Sequence, residues 1–174
     1  MIKKLMGIMA VLVLSVVSAA QSTSFSTSAF SATFNGPVTA TGPSRNIANT
    51  STYYQYKSYQ NGIWEGVEVR TIDHDIAVDF TSSQFYRANE TGTLAPEVNS
   101  DEYYQGHPFS YGFFSDLKGK DGDTATYERC ERIIIVNSRT VIFIWMDMET
   151  GGMRTANNAA FQPWVDFENS LDIK

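Results

Sequence analysis

Apolar and polar residues alternate at a period of two in several segments of this chain, the pattern of strands that bury one face. Phe30, Ala32 and Phe34 alternate with Ser31, Thr33 and Asn35, and Asn35-Gly36-Pro37 ends the run, so the fold is expected to begin with this strand. Residues 39–49 are polar and carry Gly42-Pro43, which predicts a short edge strand followed by a loop. Residues 52–59 have strand composition, and Gln60-Asn61-Gly62 supplies the left-handed positions of a tight hairpin. On the return strand, residues 63–72, Val67 and Val69 alternate with Glu68 and Arg70, so one face is buried and the other is at least partly wet.

Residues 75–89 are ambiguous. Ile76, Phe80 and Gln84 share a helical face, whereas Phe80, Phe85 and Tyr86 also suit strands, and a short helix is the preferred reading. Residues 89–102 hold Gly92, Pro96 and four acidic side chains, a composition for a solvated loop. A strand is expected at 109–117 and a turn at 118–123.

The strongest pattern lies further on. Residues 124–136 and 140–148 are two strand-like runs joined by Asn137-Ser138-Arg139, a hairpin. In the second run Val141, Phe143 and Trp145 point one way, and Ile142, Ile144 and Met146 the other. Both faces are apolar, so both should be covered. Residues 157–171 offer one cover, with Ala160 or Phe161, Trp164, Val165 and Phe167 or Glu168 at roughly helical spacing. Pro163 is tolerated only in a first turn, which sets the helix start near Phe161. The second cover is expected from the middle of the chain. Together these elements predict an α+β domain, an antiparallel β-sheet covered by helices.

The first twenty residues stand apart. Lys3-Lys4, an apolar run from Leu5 to Val17, and Ser18-Ala19-Ala20 before Gln21 form the pattern of a secretory signal peptide cut after Ala20. The run is shorter than the roughly 20 apolar residues of a membrane-spanning helix. The chain then divides into a signal peptide at 1–20, a flexible Ser/Thr-rich lead-in at 21–28 and a single domain at 29–174, secreted or periplasmic and without a membrane anchor after cleavage. Beyond residue 20 there are eleven basic and nineteen acidic residues, a net charge of −8. The basic ones are scattered, so neither phosphate backbones nor anionic lipids find a cluster to engage, and nucleic acid is excluded as a partner. About 150 residues bury roughly 70% of their unfolded surface, so no metal or disulfide scaffold is required.

The order of elements resembles the PsbP-like sandwich. The family is named for an extrinsic subunit of photosystem II and includes many small secreted proteins of unassigned role. The likeness runs from Phe30 to Ile173. It is carried by Arg132-Ile133-Ile134-Ile135-Val136-Asn137-Ser138-Arg139 and by the aromatic terminal helix ending in Asn169-Ser170-Leu171. The resemblance implies an α/β/α sandwich and export. It implies no single activity, and no catalytic residue is carried over.

Candidate chemistry is sparse. Asp73-His74-Asp75 places an imidazole between carboxylates, which can bind a divalent metal or act as a general base in a small hydrolase. On a strand, however, His74 points away from both acids, and at a helix start Asp75 is simply a cap. Asp121-Gly122-Asp123 lacks the glutamate of a calcium loop and suits a polar turn. Cys130 is the only cysteine; in mid-strand it suits a small buried hydrophobe better than a nucleophile. No phosphate loop, dinucleotide fingerprint or nucleophile elbow occurs, and no cofactor or metal is expected.

The aromatic residues are in excess. Tyr53, Tyr54, Tyr56, Tyr59 and Trp64 occupy both faces of one hairpin. Either they pack across the strands, or some face solvent and bind a protein or carbohydrate partner. The leading expectation is a non-enzymatic binding domain, with Tyr53, Tyr54, Tyr56 and Trp64 as its candidate contacts. An apolar-ligand carrier with a cavity between sheet and helix is a third reading, open unless Trp145 and Trp164 fill that space.

Overall fold

The computed structural model describes residues 22–46, 49–75, 103–118, 126–149 and 162–174; the side chains of 110–118 are not among those described. The signal peptide at 1–20 lies outside these residues. So, apart from their first residues, do the helix preferred at 75–89 and the turn at 118–123, and so does the loop at 89–102.

The described residues are mostly strand. The strands are β1 (Thr23–Ser26), β2 (Phe30–Phe34), β3 (Val38–Arg45), β4 (Ser51–Gln60), β5 (Ile63–Ile72), β6 (Tyr103–Tyr104), β7 (His107–Lys118), β8 (Thr126–Ile135), β9 (Thr140–Glu149) and β10 (Asp172–Ile173). Among the described residues there is one helix, α1 (Gln162–Ser170), with Pro163 in its first turn. The β4–β5 hairpin turns at Asn61 (φ 52°) and Gly62 (φ 81°), the left-handed pair that matches the twist of the flanking strands. Gln105 (φ 50°) and Gly106 (φ 83°) make the equivalent turn between β6 and β7. Between β8 and β9 the Asn137 side-chain oxygen accepts the Arg139 and Thr140 amides at 3.0 and 2.9 Å.

The strands form two antiparallel sheets, one of seven strands in the order β3-β4-β5-β9-β8-β7-β6 and one of three in the order β1-β2-β10. The larger sheet joins two meanders, β3-β4-β5 and β6-β7-β8-β9, through the β5–β9 ladder that pairs Val67 with Ile144. The smaller sheet and α1 lie against its inner face. There Phe30, Ala32, Phe34, Val67, Cys130, Ile134, Ile142, Ile144, Met146, Trp164, Phe167 and Leu171 form one buried cluster. Rings bridge the layers. Phe30 and Tyr56 lie 5.2 Å apart, and Phe34 and Phe167 5.1 Å.

Two expectations are thereby corrected. The fold is mostly β-sheet, two antiparallel sheets with a single described helix, and not an α+β sandwich of a sheet covered by helices. The inner cover is largely a second sheet. The alternation of Phe30, Ala32 and Phe34 marks a strand but does not say which sheet the strand joins, because the two share a period. The lead-in at 21–28 likewise contains β1, whose Phe25 packs on Tyr56 with ring centroids 5.2 Å apart. A single apolar residue among serines and threonines is a weak strand signal.

Polar pins hold the layers together. Glu65 is 1% exposed and accepts the Asn35 backbone amide at 2.8 Å and the Asn35 side-chain amide. Burial pushes its carboxyl up, partly offset by these bonds. On α1, Glu168 pairs with Arg132 of β8, and burial pushes this carboxyl up as well. The Arg132 guanidinium lies over the rings of Phe109 and Tyr104, at 4.2 and 5.1 Å.

The Tyr104 hydroxyl donates to the Glu168 carbonyl at 2.5 Å, closing the helix end. Burial, reinforced by the Glu168 charge, pushes the phenol up to about 12. Its folded-state value is raised, so its contribution is present below pH 10 and is lost as pH rises towards 12. Tyr104→Phe is therefore expected to remove an alkaline loss of on the order of 1 kcal/mol after solvent screening. Urea unfolding of both proteins at a series of alkaline pH values measures this; parallel stability curves would contradict it.

Candidate functional site

The alternation that buries Ile142, Ile144 and Met146 inside sends Phe143, Trp145 and Asp147 to the outer face of the large sheet. Register then assembles rows across the strands. Tyr59, Trp64, Asp147 and Arg129 are successive cross-strand neighbours on β4, β5, β9 and β8. The next row is Lys57, Gly66, Trp145 and Glu131, and the one beyond is Gln55, Glu68, Phe143 and Ile133. This face mixes charges with rings, unlike the apolar inner face.

Most of its charges are buried and paired. Glu68 and Arg70, two apart on β5, share one face; the guanidinium Nε donates to Glu68 at 2.7 Å, and Gln55 donates to the other carboxylate oxygen at 2.6 Å. Arg70 also lies over Phe143, 4.5 Å from the ring centroid, and over Tyr53 at 5.8 Å. Arg129 grips Asp147 with two bonds, 2.6 and 2.9 Å, and reaches Glu131 at 3.5 Å. Such forked contacts fix orientation as well as energy.

Gly66 shapes the centre of the face. A Cβ there would overlap the Trp145 indole, so the missing side chain lets this ring lie across β5. Trp145 is 9% exposed, with the Arg129 guanidinium 4.9 Å and the Lys57 ammonium 6.0 Å from its centroid.

Towards the hairpin tip the face opens to solvent. Tyr59 and Trp64 are 53% and 38% exposed, and their rings stack with centroids 4.5 Å apart and an interplanar angle of 36°. No family model and no curated protein sequence matches the chain. The geometry of the site therefore carries the functional argument alone.

The candidate aromatics separate by face. Tyr53 and Trp64 lie on the outer face. Tyr56 is on the inner one, packed on Phe25 and Phe30, and burial pushes its phenol up. Tyr54 shares the inner face but is 43% exposed, beside Gly42. Of the four, Trp64 alone belongs to the exposed stack, and its partner is Tyr59.

The Asp73-His74-Asp75 trio lies at the exposed end of β5. Arg45 donates to both Asp73 oxygens, at 3.0 and 2.5 Å, and its hydrogen bond holds the carboxyl below the usual carboxylate range. An acid so engaged is a clasp between the ends of β3 and β5, and a weak base. Among the described residues no group of three His, Cys, Asp or Glu side chains is placed to hold a metal. Cys130 is fully buried in the inner core, where no substrate reaches it. Trp164 fills the space between α1 and the sheet at 3% exposure, while Trp145 lies on the opposite face. No described helix is long and apolar enough to cross a membrane.

Gly66 and the Arg129–Asp147 pair are not singled out from sequence, and Trp145 is named there only as an apolar strand residue and a filler of the space between sheet and helix. The hairpin turn at Asn61-Gly62 does place Gly66 opposite Lys57. The β5–β9 pairing that brings Trp145 onto Gly66 joins residues nearly eighty positions apart, and no local signal encodes it.

Proposed function

We propose that this protein is an exported, non-enzymatic binding domain that engages its partner at the hairpin tip of the outer sheet face. The observation that carries this reading is the exposed Tyr59–Trp64 stack. Two large rings held rigidly in water, each with a polar handle, offer contact area at little entropic cost. The signal-peptide pattern at 1–20 supports export. The engagement of Asp73 by Arg45 takes one of two carboxylates away from the alternative, a small hydrolase or metal-dependent enzyme using His74 with Asp73 or Asp75.

The test is retention of native envelope or culture-fluid material on the immobilised protein. Tyr59→Ala/Trp64→Ala is expected to lose most of the retained material. Tyr103→Ala, which removes another exposed ring (65%) on β6, is expected to keep it. Tyr103→Ala should stay within about 1 kcal/mol of the parent in urea unfolding, whereas the double variant, which gives up a partly covered ring stack, is expected to lose about 1–3 kcal/mol and to remain folded at the temperature of the retention assay. Equal retention by the double variant and the parent, or no retained material at all, would overturn the proposal.

A further inference from the structure

Resting on that reading, the ligand class follows from the size and charge of the same site. We infer that Tyr59 and Trp64 form a two-ring subsite for a neutral oligosaccharide, with the Asp147 carboxylate beside them as a hydroxyl acceptor.

Size argues against a protein partner. A stable protein interface buries roughly 800 Å² per side around an apolar centre. Among the described residues, the exposed large apolar side chains on this face are two adjacent rings, and the others, Tyr54, Tyr103 and Val165, lie on other elements or on the inner side of the sheet. Two rings are too small a centre for a protein and the right size for sugar units.

Charge argues against an anionic ligand. Arg129, Arg70 and Lys57 share this face with Asp147, Glu131 and Glu68; Arg129 is paired with Asp147 and Glu131, Arg70 with Glu68, and the Lys57 ammonium lies 6.0 Å from the Trp145 ring centroid. An anion would meet as many acids as bases here and would have to compete with those acids for a cation. A neutral polyhydroxylated ligand does not. Its C–H faces carry slight positive charge and suit the electron-rich faces of the two rings. Its hydroxyls can bond the Tyr59 hydroxyl, the Trp64 indole N–H and the Asp147 oxygens, whose lone pairs exceed the two bonds that Arg129 supplies. Strands about 4.8 Å apart set Tyr59, Trp64 and Asp147 along a row of roughly 10 Å, a length for two or three sugar rings.

The experiment is an array of neutral, sulfated and sialylated oligosaccharides probed with the purified protein, alongside a peptide array, followed by calorimetric titration of the hits. Neutral oligosaccharides are expected to bind, with affinity at least tenfold weaker in Trp64→Ala and unchanged in Tyr103→Ala. Binding confined to anionic glycans or peptides, or neutral binding indifferent to Trp64→Ala, would overturn the inference. If Tyr59→Ala/Trp64→Ala loses the native material while no neutral glycan binds, the ligand class is wrong and the site stands. If the double variant keeps that material, the site itself is wrong.

Discussion

Replacing Arg70 with Met is expected to destabilise the protein by about 3–5 kcal/mol, because it strands a buried carboxylate. Glu68 is 6% exposed, and Arg70 and Gln55 are its hydrogen-bond partners. Methionine preserves much of the stem that packs beside Phe143 and Tyr53 but supplies no charge and no donor. The Gln55 amide alone cannot compensate a full negative charge in so dry a place. Removing both ends should cost far less than removing one, since Glu68→Leu/Arg70→Met leaves no orphaned charge. Urea denaturation of the parent, the two single variants and the double variant at pH 7 gives the coupling directly. A loss under about 1 kcal/mol for Arg70→Met would show that the pair is not what settles this face.

The second large effect concerns Gly66. Valine there improves strand propensity but places its branched carbons where the Trp145 indole lies. The ring must leave the strand surface, and with it go its contacts with Arg129 and Lys57. Overpacking of this kind costs about 1–3 kcal/mol, and the upper end is expected because the obstructing group is a rigid aromatic. Shortening the ring should relieve the clash: Gly66→Val/Trp145→Leu is expected to be more stable than the sum of its single changes predicts. Additive losses would mean that Trp145 does not depend on the glycine for its position. Near-ultraviolet circular dichroism of Gly66→Val supplies a second reading, since the indole loses its fixed environment.

These two sites show where sequence and structure part company. Local signals were legible: the Asn61-Gly62 turn, the Asn137-Ser138-Arg139 hairpin, the doubly apolar β9 and the start of α1 at Pro163 all depend on residues within a few positions of one another. The assignment of Phe30, Ala32 and Phe34 to a second sheet was not legible, because the strand pattern is the same in either sheet. That is why an α+β sandwich was expected and a two-sheet, mostly β fold was found. The aromatic surplus pointed to the right hairpin, but alternation alone could not say which face opens to water. Tyr56 went inward against Phe25 and Phe30, whereas Tyr59 remained outside to pair with Trp64. The buried Glu68–Arg70 pair was also out of reach, since alternating charges on a strand ordinarily mark the solvated side.

The binding claim can be tested at a single residue, because the three tryptophans sit in distinct places. Trp64 is 38% exposed in the ring stack, whereas Trp145 and Trp164 are 9% and 3% exposed. Nitrogen-15-labelled protein, with its three indole N–H signals assigned by single Trp→Phe variants, should be titrated with the neutral oligosaccharide that binds best on the array. Saturable movement of the Trp64 signal, with the Trp164 signal fixed, is the predicted result. A ligand that binds and shifts Trp164 while leaving Trp64 in place would put the site elsewhere and contradict the account.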